Sequence, residues 1–112
     1  MGFHLERLAS QIQRVLSIAL TKEARDYKLE FITITRVELT SDLSYANCFY
    51  TTLYTTDKEK GLAKESLKEA KSFLRKKIAD NVKMRKIPDL RFHYDDSFEQ
   101  GNRIDGILAK IK

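Results

Sequence analysis

The spacing of apolar residues changes along this chain, and that change limits the folds it can adopt. Over residues 3–25 apolar side chains recur every three or four positions, which predicts an amphipathic helix. Residues 31–39 and 44–54 are instead rich in β-branched and aromatic residues that alternate with polar ones, which predicts two strands. The polar stretch between the two strands is too short for a crossover, so we expect an antiparallel hairpin.

A second long helix and a third strand are predicted after the hairpin. Apolar residues return to helical spacing over about 58–80, with Thr56 or Asp57 as a candidate cap. Pro88 cannot continue a helix, and the alternating residues after it predict a strand with one buried face. The order α-β-β-α-β predicts an α+β fold in which helices cover one face of a three-stranded sheet. Residues 97–112 are expected to form a short helix or tail.

Length and composition indicate one basic domain. The chain has 112 residues, of which 42% are hydrophobic, and a formal net charge of +5, so we expect a single domain over 1–112. Cys48 is the single cysteine, which excludes an intrachain disulfide and favours a reducing compartment. No segment approaches the roughly 20 apolar residues of a membrane span, and the N-terminus lacks a signal-peptide pattern. The sequence therefore predicts a cytoplasmic protein with no membrane partner.

The excess positive charge is concentrated in residues 70–88. This segment holds seven basic residues and one acid, which gives +6, whereas the whole chain carries +5. Like charges at helical spacing repel one another, and a solvated helix face would normally include compensating acids. Their near absence favours phosphate binding. The candidate RNA-binding residues are Lys71, Arg75, Lys76, Lys77, Lys83, Arg85 and Lys86, with Arg36 and Arg103 as weaker candidates.

The helical spacing of Lys68, Lys71 and Arg75 predicts one basic row, which we expect to lie opposite the apolar stripe of the second helix. That stripe is needed to cover the sheet, so no apolar face stays free for a membrane surface. The spacings of helix-turn-helix and zinc-finger motifs, which read DNA, are absent. RNA is thus the favoured partner, recognised through its shape and backbone with about five phosphate contacts.

Aromatic and acidic residues suggest two further possibilities. Tyr45 and Phe49 fall on one face of the second predicted strand and Tyr50 on the other, so one set could stack on bases, although packing explains them better. Asp95, Asp96 and Glu99 could hold a metal, but they lack the glycine turn of a calcium loop. A turn beside a helix N-terminus explains these acids more simply, so we expect no metal, no cofactor and no catalytic residue.

Five motifs occur in a specific order between residues 5 and 108: "TRVE", "DLSYA", "FLR", "PDLRFHYD" and "RID". Together they resemble the bacterial ribosome-binding factor A family. The resemblance implies a type II KH-like domain with a kinked second helix, which is monomeric when free and is not an enzyme. It also implies binding to the small ribosomal subunit (30S) and its 16S rRNA during late maturation and rRNA processing, with departure before translation.

The resemblance also assigns a motif to the second helix. Family members have an Ala-x-Gly kink between two helical segments, and the matching positions here are Ala70, Lys71 and Ser72, with serine in place of glycine. Serine can bend a helix by bonding a preceding carbonyl. Three other functions stay open at this point: a KH-like regulator that binds single-stranded RNA, a metal-dependent RNA-processing enzyme, and a basic protein-interaction domain.

Overall fold

The computed structural model describes residues 2–23, 29, 31–53 and 56–97. The helices are α1 (Gly2–Ile18), which continues into a single turn of π-helix (Ala19–Glu23), and α2 (Asp57–Asn81). The strands are β1 (Ile32–Leu39), β2 (Tyr45–Thr52) and β3 (Asp89–Tyr94). The predicted order of elements is confirmed, with small differences at the strand ends. Apart from Ser97, the helix or tail expected over 97–112 lies outside the described residues.

The three strands form one mixed sheet in the order β1-β2-β3. β1 and β2 pair antiparallel, as the hairpin prediction required, with Ile32 opposite Thr52 and Leu39 opposite Ala46. β3 pairs parallel to β2, because α2 carries the chain from the end of β2 back to its beginning. The sheet therefore has β2 in the centre and β3 on one edge, next to α2.

Both helices pack on the same face of this sheet. The buried side chains of β2 are Ala46, Cys48, Tyr50 and Thr52, and they alternate with partly exposed ones. From the helices, Leu8, Ile12, Leu16, Ala63, Leu67, Ala70, Leu74 and Ile78 are buried against that face. Burial raises the pKa of the Cys48 thiol to about 12, so Cys48 is a neutral, buried residue as expected. Neither described helix combines the length and the hydrophobicity that a membrane span requires.

A β-bulge at Thr35 changes which face the second half of β1 presents. Ile34 is opposite Tyr50 and Arg36 is opposite Phe49, so Thr35 is the extra residue. Its hydroxyl donates to Asp95 Oδ2 at 2.7 Å, and its carbonyl oxygen accepts a hydrogen bond from Gln13 Nε2 at 3.2 Å. Without the bulge Arg36 would point at the helices, like Ile34; with it, Arg36 points away from them.

The N-terminus of α2 is capped by Thr56, one of the two predicted cap residues. Its side-chain oxygen accepts a hydrogen bond from the backbone N–H of Glu59 at 3.2 Å. Replacing Thr56 with alanine removes that acceptor and is expected to lower the free energy of unfolding by about 1 kcal/mol, whereas Thr56→Asn keeps an acceptor and most of the stability. Urea denaturation of the three proteins measures this difference; equal loss in both variants would contradict a capping role.

Helix α2 is continuous through the predicted kink motif. The helix runs from Asp57 to Asn81 without a break, so Ala70, Lys71 and Ser72 lie within one helix rather than between two separate segments. Ala70 is fully buried and Ser72 is exposed. A bend of the helix axis at this motif, without a break in the helix, stays a prediction.

Candidate nucleic-acid interface

Arg75 holds the segment that leads into β3. Its Nε donates to the carbonyl oxygen of Pro88 at 3.2 Å, and its Nη2 donates to that of Ile87 at 3.0 Å. The side chain is half-buried between α2 and this segment. Two of the donors of Arg75 are thus used inside the protein, where they fix the course of the chain after the helix.

Lys71 forms a second link between α2 and the same strand. Its Nζ lies 3.3 Å from Asp89 Oδ1, and both side chains are partly exposed. Lys71 follows the buried Ala70, and Arg75 follows the buried Leu74, so each is turned by only about 100° from the apolar stripe. The expectation that these two residues lie opposite the stripe is therefore wrong: they lie beside it, against the edge strand.

The other predicted residues of the basic segment divide into two groups. Lys77 is half-buried, with its ammonium 5.6 Å from the centre of the Phe73 ring. Lys76, Lys83, Arg85 and Lys86 are exposed. Of these four, Lys86 donates from Nζ to Ser44 Oγ at 3.2 Å. We call these four residues the exposed basic cluster, since their charges face solvent.

The turn between β1 and β2 brings an acid close to one end of the exposed basic cluster. Asp42 accepts a hydrogen bond from the backbone N–H of Ser44 at 3.0 Å and from Thr40 Oγ1 at 2.9 Å. These bonds, with a smaller contribution from the charge of Lys86, lower the pKa of Asp42 to about 2. Asp42 is therefore ionised at any physiological pH, and it partly offsets the charge of Lys86.

The row of basic residues along α2 is longer than the predicted row of Lys68, Lys71 and Arg75. Lys60 and Lys64 precede Lys68 at four-residue spacing, and all three point to the same side as Lys71 and Arg75. The row covers about 22 Å of helix, and the Lys60 ammonium lies 4.6 Å from the ring centre of Tyr94, at the far end of β3. The four-residue repeat of lysines was the signal that could have revealed it.

Arg36, one of the two weaker candidates for RNA binding, is not part of the exposed basic cluster. Arg36 lies on the sheet face that the helices leave open, with its Cζ 4.1 Å from the ring centre of Phe49 and its Nε 3.5 Å from Glu38 Oε1. Arg103 lies outside the described residues. The structure thus brings together the basic residues of α2 and the following loop and separates Arg36 from them.

The acidic residues near the end of β3 have structural contacts. Asp95 Oδ1 accepts hydrogen bonds from the hydroxyl and the backbone N–H of Ser97, while Oδ2 accepts one from Thr35. These contacts, led by the Ser97 hydroxyl, lower the pKa of Asp95. Among the described residues no group of three potential ligands could hold a metal, and Glu99 lies outside them. Asp95 instead supports the bulge of β1 and the turn after β3.

These features define a class of protein: a small α+β domain that places a basic surface at the junction of a long helix and an edge strand. Comparison with known proteins gives the family. A family model described as ribosome-binding factor A matches residues 4–108. The ribosome-binding factor A of Phytoplasma mali is 42% identical over 112 residues, covering 99% of this chain and 98% of that protein. The chain belongs to the ribosome-binding factor A family.

A crystal structure and a fitted homology model share the fold. The crystal structure of ribosome-binding factor A from Thermus thermophilus has a TM-score of 0.68 and 26% identity, and the match covers 80% of this chain and 94% of that one. A homology model of the Thermus thermophilus protein, fitted into a cryo-electron microscopy map of its complex with the 30S subunit, has a TM-score of 0.63 and 22% identity. That match covers 82% of this chain and 96% of the other. The predicted fold class is thereby confirmed.

Proposed function

We propose that this protein is a non-enzymatic assembly factor of the cytoplasm that binds the small ribosomal subunit and its 16S rRNA during late maturation and rRNA processing. It leaves before translation begins. Membership of the ribosome-binding factor A family is the observation that carries the proposal. The Thermus thermophilus relative has been fitted into a map of a 30S complex, which supports the same partner for this chain.

The exposed basic cluster supports RNA as the component that is bound. Lys76, Lys83 and Arg85 are exposed, and within the described residues they make no ion pair or hydrogen bond with the protein. Their charges are therefore available to phosphate groups. The Arg75 bonds hold the end of the loop that carries Lys83 and Arg85 against α2, so less conformational entropy is lost when RNA binds.

Binding of this kind can act on assembly only through a preference for one RNA conformation. A factor that bound immature and mature subunits equally well would shift neither population. A rigid basic surface that recognises the spacing of phosphates would bind best where the RNA matches that spacing. We therefore expect tighter binding to immature than to mature small subunits.

Co-sedimentation with purified small subunits, large subunits and intact ribosomes tests the proposal. Wild-type protein is expected to sediment with small subunits, and a Lys83→Glu/Arg85→Glu variant is expected to lose most of that binding. A Lys22→Glu/Lys58→Glu variant changes the net charge by the same amount at exposed positions outside the cluster, and should retain most of the binding. Wild-type protein that binds both subunits equally, or prefers short single-stranded RNA, would instead support a general RNA-binding regulator.

A further inference from the structure

The sheet face that the helices leave open carries two arginines stacked on aromatic rings. The Cζ of Arg91 lies 3.5 Å from the ring centre of Tyr45, and that of Arg36 lies 4.1 Å from the ring centre of Phe49. The ring of His93 lies 5.2 Å from that of Phe49. Each guanidinium is thus held against the sheet, and its orientation is largely fixed before any partner arrives.

The charges of this face differ from those of the helices. None of the three strands contains a lysine, whereas α2 contains seven. On this face Arg36 pairs with Glu38, whereas Asp89 pairs with Lys71 of α2, so among the described residues of the three strands Arg91 is the one cation that no acid balances. Neutralising several phosphates takes several unbalanced cations, so this face is not suited to a nucleic-acid backbone.

The composition is instead that of a surface that binds protein. Tyrosine, phenylalanine and arginine are enriched at protein–protein interfaces, whereas lysine is depleted there. Arginine and tyrosine are also among the residues that most often dominate the binding energy. The central strand places Tyr45, Asn47 and Phe49 side by side on this face, and Asn47 Oδ1 lies 2.9 Å from His93 Nε2. These contacts make the centre of the face a fixed polar and aromatic surface.

We propose that the open sheet face is a second docking surface, occupied by a protein of the small-subunit particle that presents a carboxylate to Arg91. Arg91 is exposed and, within the described residues, its guanidinium forms no ion pair or hydrogen bond. A planar guanidinium can bind a carboxylate through two parallel hydrogen bonds, which a lysine cannot reproduce. The proposal rests on the proposed function, because it places the partner on the particle that the basic cluster binds.

The test compares binding to intact small subunits with binding to protein-free 16S rRNA. Arg91→Ala is expected to weaken binding to intact subunits by at least about tenfold and to leave binding to protein-free rRNA unchanged, because it removes a charge-assisted pair. Arg91→Lys keeps the charge but not the two-pronged geometry, and should show most of the same loss. Lys83→Ala is the matched control in the exposed basic cluster. It should weaken binding both to intact subunits and to protein-free rRNA.

The outcomes separate this proposal from the proposed function. The preference of the wild-type protein for small subunits tests the function, whereas the ratio between the Arg91 variants and wild type tests the sheet face. Equal losses on intact subunits and on protein-free rRNA would show that the face contacts RNA and would overturn the proposal. Unchanged binding of both Arg91 variants to intact subunits would also overturn it. Thermal unfolding followed by circular dichroism confirms that each variant is folded.

Discussion

Replacing Arg75 with alanine is expected to lower the free energy of unfolding by about 2–3 kcal/mol, because two charge-assisted hydrogen bonds are lost together. The carbonyl oxygens of Ile87 and Pro88 accept these bonds, at 3.0 and 3.2 Å, in the segment just before β3. Alanine would leave both acceptors without the guanidinium. The half-buried aliphatic part of Arg75 also packs between α2 and this segment, so its removal adds to the loss.

Lys76 provides the matched control for this prediction. It is the next residue along the helix and is exposed, so Lys76→Ala should change the free energy of unfolding by no more than about 0.5 kcal/mol. Arg75→Lys should fall between the two, because an ammonium keeps the charge but cannot reach both carbonyls in the same way. Guanidinium chloride denaturation gives the three values. A loss in Arg75→Ala no larger than that in Lys76→Ala would mean that the bonds contribute little to stability.

Because Arg75 holds the loop after α2 in place, a substitution of Arg75 does not test contact with RNA directly. A variant at Arg75 could lose RNA binding because the loop that carries Lys83 and Arg85 moves, even if Arg75 never touches a phosphate. Lys71 presents the same difficulty, since it pairs with Asp89 at the start of β3. Substitutions at Lys83 and Arg85 avoid the problem, because these exposed side chains have no such contacts among the described residues.

The sequence predicted the elements of the fold but not the contacts of Arg75 and Lys71. The helices and strands depend on local spacing, which is visible in the sequence. The bonds of Arg75 join residues 12 and 13 positions apart, and they exist because β3 lies parallel to β2 at the edge beside α2. A count of charges in one segment cannot distinguish a cation that holds the fold from one that faces solvent.

The bulge in β1 could have been predicted from the sequence, but the contacts that hold it in place could not. Ile32 and Ile34 are buried, and so is Val37, so the alternation of apolar residues shifts by one position between Ile34 and Val37. That shift is visible in the sequence and indicates an extra residue in the strand. The sequence does not show that Asp95 and Gln13 would hold Thr35 in this position, since both contacts depend on the tertiary fold.

Removing the charges of Lys83 and Arg85 is expected to change the salt dependence of binding to small subunits. With about five phosphate contacts, the wild-type protein should show a slope of log K against log salt of about −3.5 to −4.5. Its affinity should then fall by roughly two to three decades between about 50 and 200 mM salt. The exposed basic cluster, together with the exposed Lys68, supplies that number of cations.

A Lys83→Gln/Arg85→Gln variant should reduce the magnitude of this slope by about 1.4–1.8, because each lost contact releases fewer counterions. Glutamine keeps much of the side-chain length, so the change reports on charge rather than on packing. Co-sedimentation across a salt series gives both slopes, with Lys22→Gln/Lys58→Gln as the control that removes two exposed charges from other parts of the surface. If the cluster variant and this control gave equal slopes, the two residues would contribute only to the overall charge. A slope reduced in the cluster variant alone would place Lys83 and Arg85 at the phosphates, because counterions are released only where a cation replaces them.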